Sequence, residues 1–325
     1  MIVHPEIAAL RGNDASQRLA QDRLRAEMTA WRDSEAVAAI QTDLAAFATA
    51  RPMAECRALS ALFEEGNPAA RRLAESFAAT SVGAIARAPL AQMPLRNSVS
   101  DAVSTLLIGR AGPVSLLLVA IDGTGMARRP APSSVSFSAS TCWEHILAGA
   151  AQGELIAMRP AGPDRAEFQR KSIALTAGSV LSREGSRQAL VLGRVAGCLV
   201  SLRMIRRHEP SAPSREYDLA SGRMIHQSAG SPRESRQELM VNLLGRMGRT
   251  DAAPLLAAMA CESGGASLRW EALRECLSLD TAAGFAALSR LAVDPADALQ
   301  SSAAALRARL IETHPELREL EPCPA

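Results

Sequence analysis

Three regimes of hydrophobic spacing follow one another along this chain, and the spacing in each decides which element can bury its apolar side chains. From Asp14 to about Leu90, apolar residues recur at helical intervals, as in Leu19, Leu24, Met28 and Trp31 and then Val37, Ile40, Leu44 and Phe47. Such spacing places them on one helical face. Asp33 or Ser34 is placed to cap the second of three or four helices, Pro52 to open the third and Pro68 the fourth, because proline is tolerated in a first helical turn.

After Pro94 the pattern changes. Thr105 to Ile108 and Val114 to Ile121 are aliphatic runs separated by the turn-like Gly109-Arg-Ala-Gly-Pro113. They read as paired strands. Further strands are expected at Val135 to Ser140, Trp143 to Leu147, Glu154 to Arg159, Phe168 to Leu175, Ala189 to Val195 and Cys198 to Arg206. Ala220-Ser-Gly222 supplies a hairpin turn between Arg215 to Leu219 and Arg223 to Gln227. A series of short strands uninterrupted by a helix points to an antiparallel sandwich or barrel, not a parallel sheet. Helical spacing returns at Ser235, with Leu239, Leu243 and Met247 on one face, and continues in pieces of roughly ten residues broken by glycine, aspartate or proline, as in helix pairs stacked in series.

The expected fold is therefore a multidomain α+β chain: N-terminal helices at 1–95, a central antiparallel β-sandwich or barrel at 96–230, and a C-terminal α-helical array at 231–325. Its 325 residues exceed what one core organises. Hydrophobic residues make up 48% of the chain but aromatics only 3%, so aliphatic side chains must fill the interior. A net charge of +2 is too small to steer the chain onto nucleic acid. Lys171 is the only lysine, a skew toward arginine that suits a GC-rich bacterial genome. Six cysteines without a C-x-x-C pair argue against a zinc module and a disulfide framework. No apolar run is long enough to span a bilayer, and charges stand near the N-terminus where a secretory signal needs apolar residues. A cytoplasmic protein with no membrane partner is expected.

Two family resemblances follow from particular residues. Trp143-Glu-His-Ile-Leu-Ala-Gly, Gly153-Glu-Leu-Ile and Leu175-Thr-Ala-Gly-Ser-Val-Leu phrase turns and strands in a way that resembles the cupin superfamily, over about residues 113–227. The resemblance implies a small jelly-roll barrel whose mouth, in metal-binding members, brings imidazoles and a carboxylate onto one ion. With Glu144 at that carboxylate, the positions for two histidines hold only Ser138, Ala139, Ser140 and Thr141. Gly178 and Gly185 frame a turn like the family's second one, but Gln188 falls at the third histidine and Leu192 at the asparagine. The family's metal site does not transfer. The second resemblance is to HEAT repeats, carried by Asp251 to Met259, Ser267 to Leu277, Ala282 to Ala292 and Leu299 to Leu310, with Arg269, Glu271-Ala-Leu273 and Leu277 matching the second half of the pattern. It implies a ridged surface for a protein partner.

Several residues are candidates for binding. Trp143, Glu144, His145, Gln188, Arg203 and Tyr217 are expected to line a ligand pocket in the β domain, an arginine holding an anionic group. The simpler readings are a hydrogen-bonded core residue for His145, an exposed strand residue for Arg203 and a hairpin packing residue for Tyr217. An alternative set for a divalent transition metal is Glu144, His145, His208 and His226, although no pair has H-x-H or H-x3-H spacing. Arg203, Arg206, Arg207, His208 and Arg215 form the densest basic segment, read as a solvated loop because few aromatics interleave to stack bases. Gly123-Thr-Gly125 follows an aliphatic strand as phosphate loops do, but Pro130 and Pro132 break the helix such a loop requires, so a loop or hairpin turn is expected there. No G-x-S-x-G, Walker-type or H-E-x-x-H motif is present.

The expected function is a non-catalytic binding or regulatory protein without a cofactor, whose β domain holds a small molecule and whose helical array binds a protein partner, with no role in nucleic-acid binding. The alternatives are a metal-dependent cupin-type oxygenase or isomerase with non-standard ligands, and a structural scaffold with a filled barrel.

Overall fold

The structure is a computed structural model that describes residues 12–162, 164–208 and 212–320. The described residues form two compact units, one within 1–210 with 215–226 and the other within 211–214 with 227–325.

In the first unit, helix α1 (Ala15–Asp33) buries Leu24, Met28 and Trp31, and α2 (Glu35–Ala48) buries Val37, Ile40, Leu44 and Phe47, as the spacing requires. Leu19, expected on the same face, is instead exposed. Ser34 stands at the N-cap of α2, but its hydroxyl donates back to the Trp31 carbonyl at 2.7 Å and so closes α1 rather than capping α2. The short α3 (Arg57–Ser60) lies between two 3-10 turns, and Asp43 of α2 accepts its Ala58 and Leu59 N–H groups at 2.7 and 3.2 Å. Pro68 precedes α4 (Ala69–Arg87), and Phe77 of α4 meets Trp31 edge to face at 5.2 Å.

Ten strands follow: β1 (Asn97–Val99), β2 (Val103–Ala111), β3 (Val114–Asp122), β4 (Ser134–Phe137), β5 (Ser140–Pro160), β6 (Ala166–Thr176), β7 (Val180–Glu184), β8 (Gln188–Arg207), β9 (Ser214–Asp218) and β10 (Met224–Ser228). The larger sheet runs β1-β2-β3-β8-β5-β6, with β7 also paired to β5, and the smaller runs β10-β9-β4. The strand pairs between named elements are antiparallel where their register is given.

Two differences from the sequence reading matter. The expected pairs of strands at 143–147 with 154–159, and at 189–195 with 198–206, are each one long strand, β5 and β8. Their ladder continues because register shifts near Ile146, Ala148 and Gln152 absorb the irregular residues, and Gly149 (φ 85°) passes so close to the Cys198 carbonyl that a Cβ would stand 2.1 Å from its oxygen. After β3, moreover, the expected loop or hairpin is a single helical turn, α5 (Gly123–Ala127), with Asp122 accepting the Gly125 N–H at 2.7 Å. A Cβ at Gly125 would lie 2.1 Å from the Asp101 carbonyl oxygen, so this glycine serves close packing of backbone on backbone.

One face of the large sheet is covered by the N-terminal helices. Val114, Leu116, Leu202 and Met204 share a buried cluster with Leu24, Met28, Leu44 and Leu59. Phe47 packs edge to face on Trp143 at 5.5 Å, and the Arg206 guanidinium sits over Phe47 at 4.7 Å. The small sheet packs Val135, Phe137 and Tyr217 with Ile156 and Ala166 in a separate cluster.

The second unit holds α6 (Pro232–Arg246), α7 (Ala253–Cys261), α8 (Ala266–Leu279), α9 (Thr281–Val293) and α10 (Gln300–Thr313). Helices adjacent in sequence from α7 to α10 pack on one another, and α6 packs on α8. Their shared core includes Val241, Leu256, Leu273, Phe285, Leu288 and Ala303. Arg269 is buried, its Nε donating to the Ala260 carbonyl at 2.9 Å and its Nη2 pairing with Asp297. On α6 the apolar face of Leu239, Leu243 and Met247 is exposed together with Met240, while Val241 is buried. Among the described residues no helix is long and apolar enough to cross a membrane.

Candidate functional site

Strand parity divides the central residues of the large sheet between two faces, since directly opposed residues in an antiparallel ladder project to the same side. Glu144 on β5 is opposite Arg203 on β8 and Leu181 on β7, and Arg203 is opposite Leu117 on β3. Arg183 of β7 is opposite Cys142, two residues from Glu144 and therefore on its face. Trp143 and His145 project the other way, toward the helices.

The outcome is a polar cluster on a half-apolar face. The Glu144 side chain is 2% exposed, and its Oε1 accepts from Ser201 Oγ at 2.9 Å, from Arg203 Nε at 3.1 Å and from Arg203 Nη2 at 2.6 Å. Its Oε2 accepts from Arg183 Nη1 at 2.9 Å. Burial pushes the Glu144 carboxyl upward, but the charges of Arg203 and Arg183 and their hydrogen bonds outweigh it and hold the group below its ordinary 4.5. Glu144 is thus a carboxylate. Burial draws the Arg203 guanidinium down, and the Glu144 charge and hydrogen bonds more than restore it. Beside them the Cys142 thiol is pushed up by burial against the opposing pull of Arg183 and Arg203, which keeps it a protonated, poorly nucleophilic neighbour.

Neither arginine is used up. Among the described residues, Arg183 spends Nη1 on Glu144 and has no partner for Nε and Nη2, and Arg203 spends Nε and Nη2 and has none for Nη1. None of these nitrogens is a buried unsatisfied atom, and the two side chains retain 12% and 22% of their surface. The free donors therefore reach solvent.

Of the six residues expected to line one pocket, Glu144 and Arg203 come together and the other four do not join them. Arg203 is not a freely exposed strand residue, because Glu144 binds it. Trp143 packs on Phe47, on the opposite face. His145 is buried, its Nδ1–H donating to the Leu62 carbonyl at 2.8 Å, which is the hydrogen-bonded core role. Gln188 accepts the Glu184 N–H at 3.2 Å across the β7–β8 turn. Tyr217 is buried in the small-sheet cluster, edge to face with Phe137 and Phe168. His208, expected in a solvated loop, is tied down: its Nε2 is 2.8 Å from Thr141 Oγ1 and its N–H donates to the Ala139 carbonyl.

The alternative metal set is likewise dispersed. Glu144 and His145 are consecutive strand residues on opposite faces, and His226 is exposed on β10. Among the described residues no three His, Cys, Asp or Glu side chains converge to hold an ion. The donor set does not fit one at Glu144 either, since a cation there would have to displace two guanidiniums. Arg183 and Ser201 were missed as members of the cluster. A serine at 201 inside the apolar run Leu199 to Leu202 was the available signal, because a buried hydroxyl needs a partner.

No protein-family model matches the chain, and no curated protein matches it. Among solved structures it is similar to a cupin superfamily protein from Desulfitobacterium hafniense, at 16% identity over 37% of this chain and 86% of that one with a TM-score of 0.23. It is also similar to KdgF from Halomonas sp., at 13% identity over 36% and 88% with a TM-score of 0.24. A mutant of oxalate decarboxylase from Bacillus subtilis is similar at 12% identity, with a TM-score of 0.25 over 38% of this chain and 30% of that one. This chain therefore spans less than a third of the oxalate decarboxylase. Similarity at such TM-scores does not bear on the site, whose chemistry follows from its own side chains.

Proposed function

We propose that the chain is a non-catalytic binding or regulatory protein, in which a cupin-like β domain holds a small ligand at the Glu144, Arg183 and Arg203 cluster and a HEAT-like helical array binds a protein partner. The observation that carries the ligand half is the unspent donors of Arg183 and Arg203, fixed in place by a carboxylate that is itself fully bonded. A satisfied cluster that still presents donors to solvent is preorganised for binding. The same features speak against acid–base or nucleophilic chemistry at this point: Glu144 is held ionised by its two arginines, and Cys142 is held protonated. Support for the partner half comes from the exposed Leu239, Met240 and Leu243 of α6 and Met247 at its C-cap.

Ligand-observed NMR of the full chain against a small-molecule library tests the ligand half. Hits that vanish in an Arg183→Gln variant support it, and the lack of any variant-sensitive hit refutes it. Elemental analysis guards against a metalloenzyme: stoichiometric iron, zinc, nickel or manganese that is lost in a His145→Ala His226→Ala double variant overturns the proposal.

A further inference from the structure

The structure assigns the cluster a ligand class: we infer that Arg183 receives a monocarboxylate on its free Nε–Nη2 edge, with Arg203 Nη1 as an additional donor. The inference rests on the reading that this cluster is a ligand site, and three observations carry it further.

The first is which part of each guanidinium is left. Arg203 gives its side-on edge, Nε with Nη2, to a single oxygen of Glu144. Arg183 gives Glu144 only Nη1. Its own side-on edge, two parallel N–H donors in one plane, is therefore intact, and that fork matches the two oxygens of a carboxylate. The second is charge. Two guanidiniums and one carboxylate leave the cluster with one positive charge, which a monoanion neutralises and a dianion overshoots in a partly desolvated site. The third is the surrounding surface. Leu117 and Leu181 stand opposite Arg203 and Glu144 in the ladder, and Ile205 stands opposite Cys142, all of them half-buried on the same face. Aliphatic walls beside a carboxylate fork suit an organic acid with a short apolar tail.

Glu144 is the positioning residue of this arrangement. Pinned by Ser201, it holds the two guanidiniums so that the open edge of Arg183 is presented without the entropy cost of ordering a free side chain at binding.

The test uses the full chain and three probes by ligand-observed NMR: n-butyrate, its neutral isostere butyramide, and inorganic phosphate. The inference expects saturable butyrate binding, with phosphate and butyramide each weaker by about tenfold or more, and about a tenfold loss of butyrate affinity in Arg183→Lys, which keeps the charge but not the fork. Phosphate binding as tightly as butyrate overturns it, as does Arg183→Lys binding butyrate as well as the natural chain. If Arg183→Lys does not fold, judged by its melting curve, the three-probe comparison on the unaltered chain decides. Butyramide equal to butyrate, with both lost in Arg183→Gln, sinks the carboxylate inference while leaving a ligand site in place. Silence of all three probes, together with a library that yields no variant-sensitive hit, removes both.

Discussion

Glutamine in place of Glu144 probes the arginine cluster most directly. Because Oε1 accepts three hydrogen bonds and Oε2 one, the amide turns its carbonyl toward Ser201 and Arg203. Its NH2 then occupies the Oε2 position, 2.9 Å from the Arg183 Nη1 donor. Donor faces donor, and two guanidiniums lose their shared counter-ion. Removing one member of a buried ion pair costs about 3–5 kcal/mol, and the lower end, about 3 kcal/mol, applies here because water reaches both arginines and screens part of the repulsion. At about 2–4 °C per kcal/mol for a unit of some 150–250 residues, the melting temperature falls by about 6–12 °C at pH 7. Thermal melting followed by circular dichroism measures it. The pH dependence has a fixed sign. With its folded value depressed below 4.5, Glu144 takes up a proton in the unfolded chain first as pH falls, so its stabilisation is complete above about pH 4.5 and is lost as pH drops through the lower folded value. The gap between the natural chain and Glu144→Gln should stay constant above that point and close below it. A gap under about 1 kcal/mol at pH 7, or one that widens on acidification, refutes the reasoning.

Other substitutions test the packing and the second unit. His145→Ala removes the bond to the Leu62 carbonyl and leaves a void between the sheet and the helices, and equilibrium unfolding in urea should show a loss of about 2–4 kcal/mol. Gly284→Ala forces a Cβ within 2.5 Å of Leu277 Cα where α9 meets α8, so it should destabilise the helical unit by about 1–3 kcal/mol in the same assay. Leu239→Ser, Leu243→Ser and Met247→Ser combined should shift melting little, about 0.5 kcal/mol or less per site, since all three side chains are exposed. The same variant should lose the partners captured by the natural chain in a pull-down, and an unchanged partner set counts against α6.

The helical segments and the centre of nearly every strand were legible because each is a local pattern. Val37, Ile40, Leu44 and Phe47 need no distant residue to declare a helical face. Strand fusion in β5 and β8 was not legible, because whether Gly149 ends a strand or lets it bend depends on the Cys198 carbonyl across the ladder. The short β1 and β7 were missed for a similar reason: Val-Leu-Ser-Arg-Glu at 180–184 reads as turn chemistry until β5 supplies its partner. That omission hid Arg183 and with it one of the cluster's two guanidiniums. Trp143, Glu144 and His145 are pooled into one pocket in the sequence reading, although alternation separates the middle residue from its neighbours. Both faces of this strand are covered, Trp143 and His145 against the N-terminal helices and Glu144 and Ile146 on the other side, Ile146 in the sheet's other buried cluster, and no spacing within the strand could announce that.

The pairing of β5 with β8 from Ser140↔Arg207 to Ala157↔Gln188 also bears on the order of events during folding. The inner pair Ala157↔Gln188 closes the shortest span, so that closure entropy is paid first and the ladder returns it as pairing extends outward to Ser140↔Arg207. The β5–β6 hairpin, closed at Pro160↔Ala166, and the return of β7 onto β5 shorten the span left to close once they are paired. Frayed ends reach inward only a few pairs, so the amides of Glu144 and Leu202, flanked by paired residues on both sides, should exchange with solvent deuterium more slowly than those near Ser140. The carboxylate that fixes the two arginines therefore sits inside a paired stretch of the sheet, and the cluster should stay assembled while the ends of the ladder open and close.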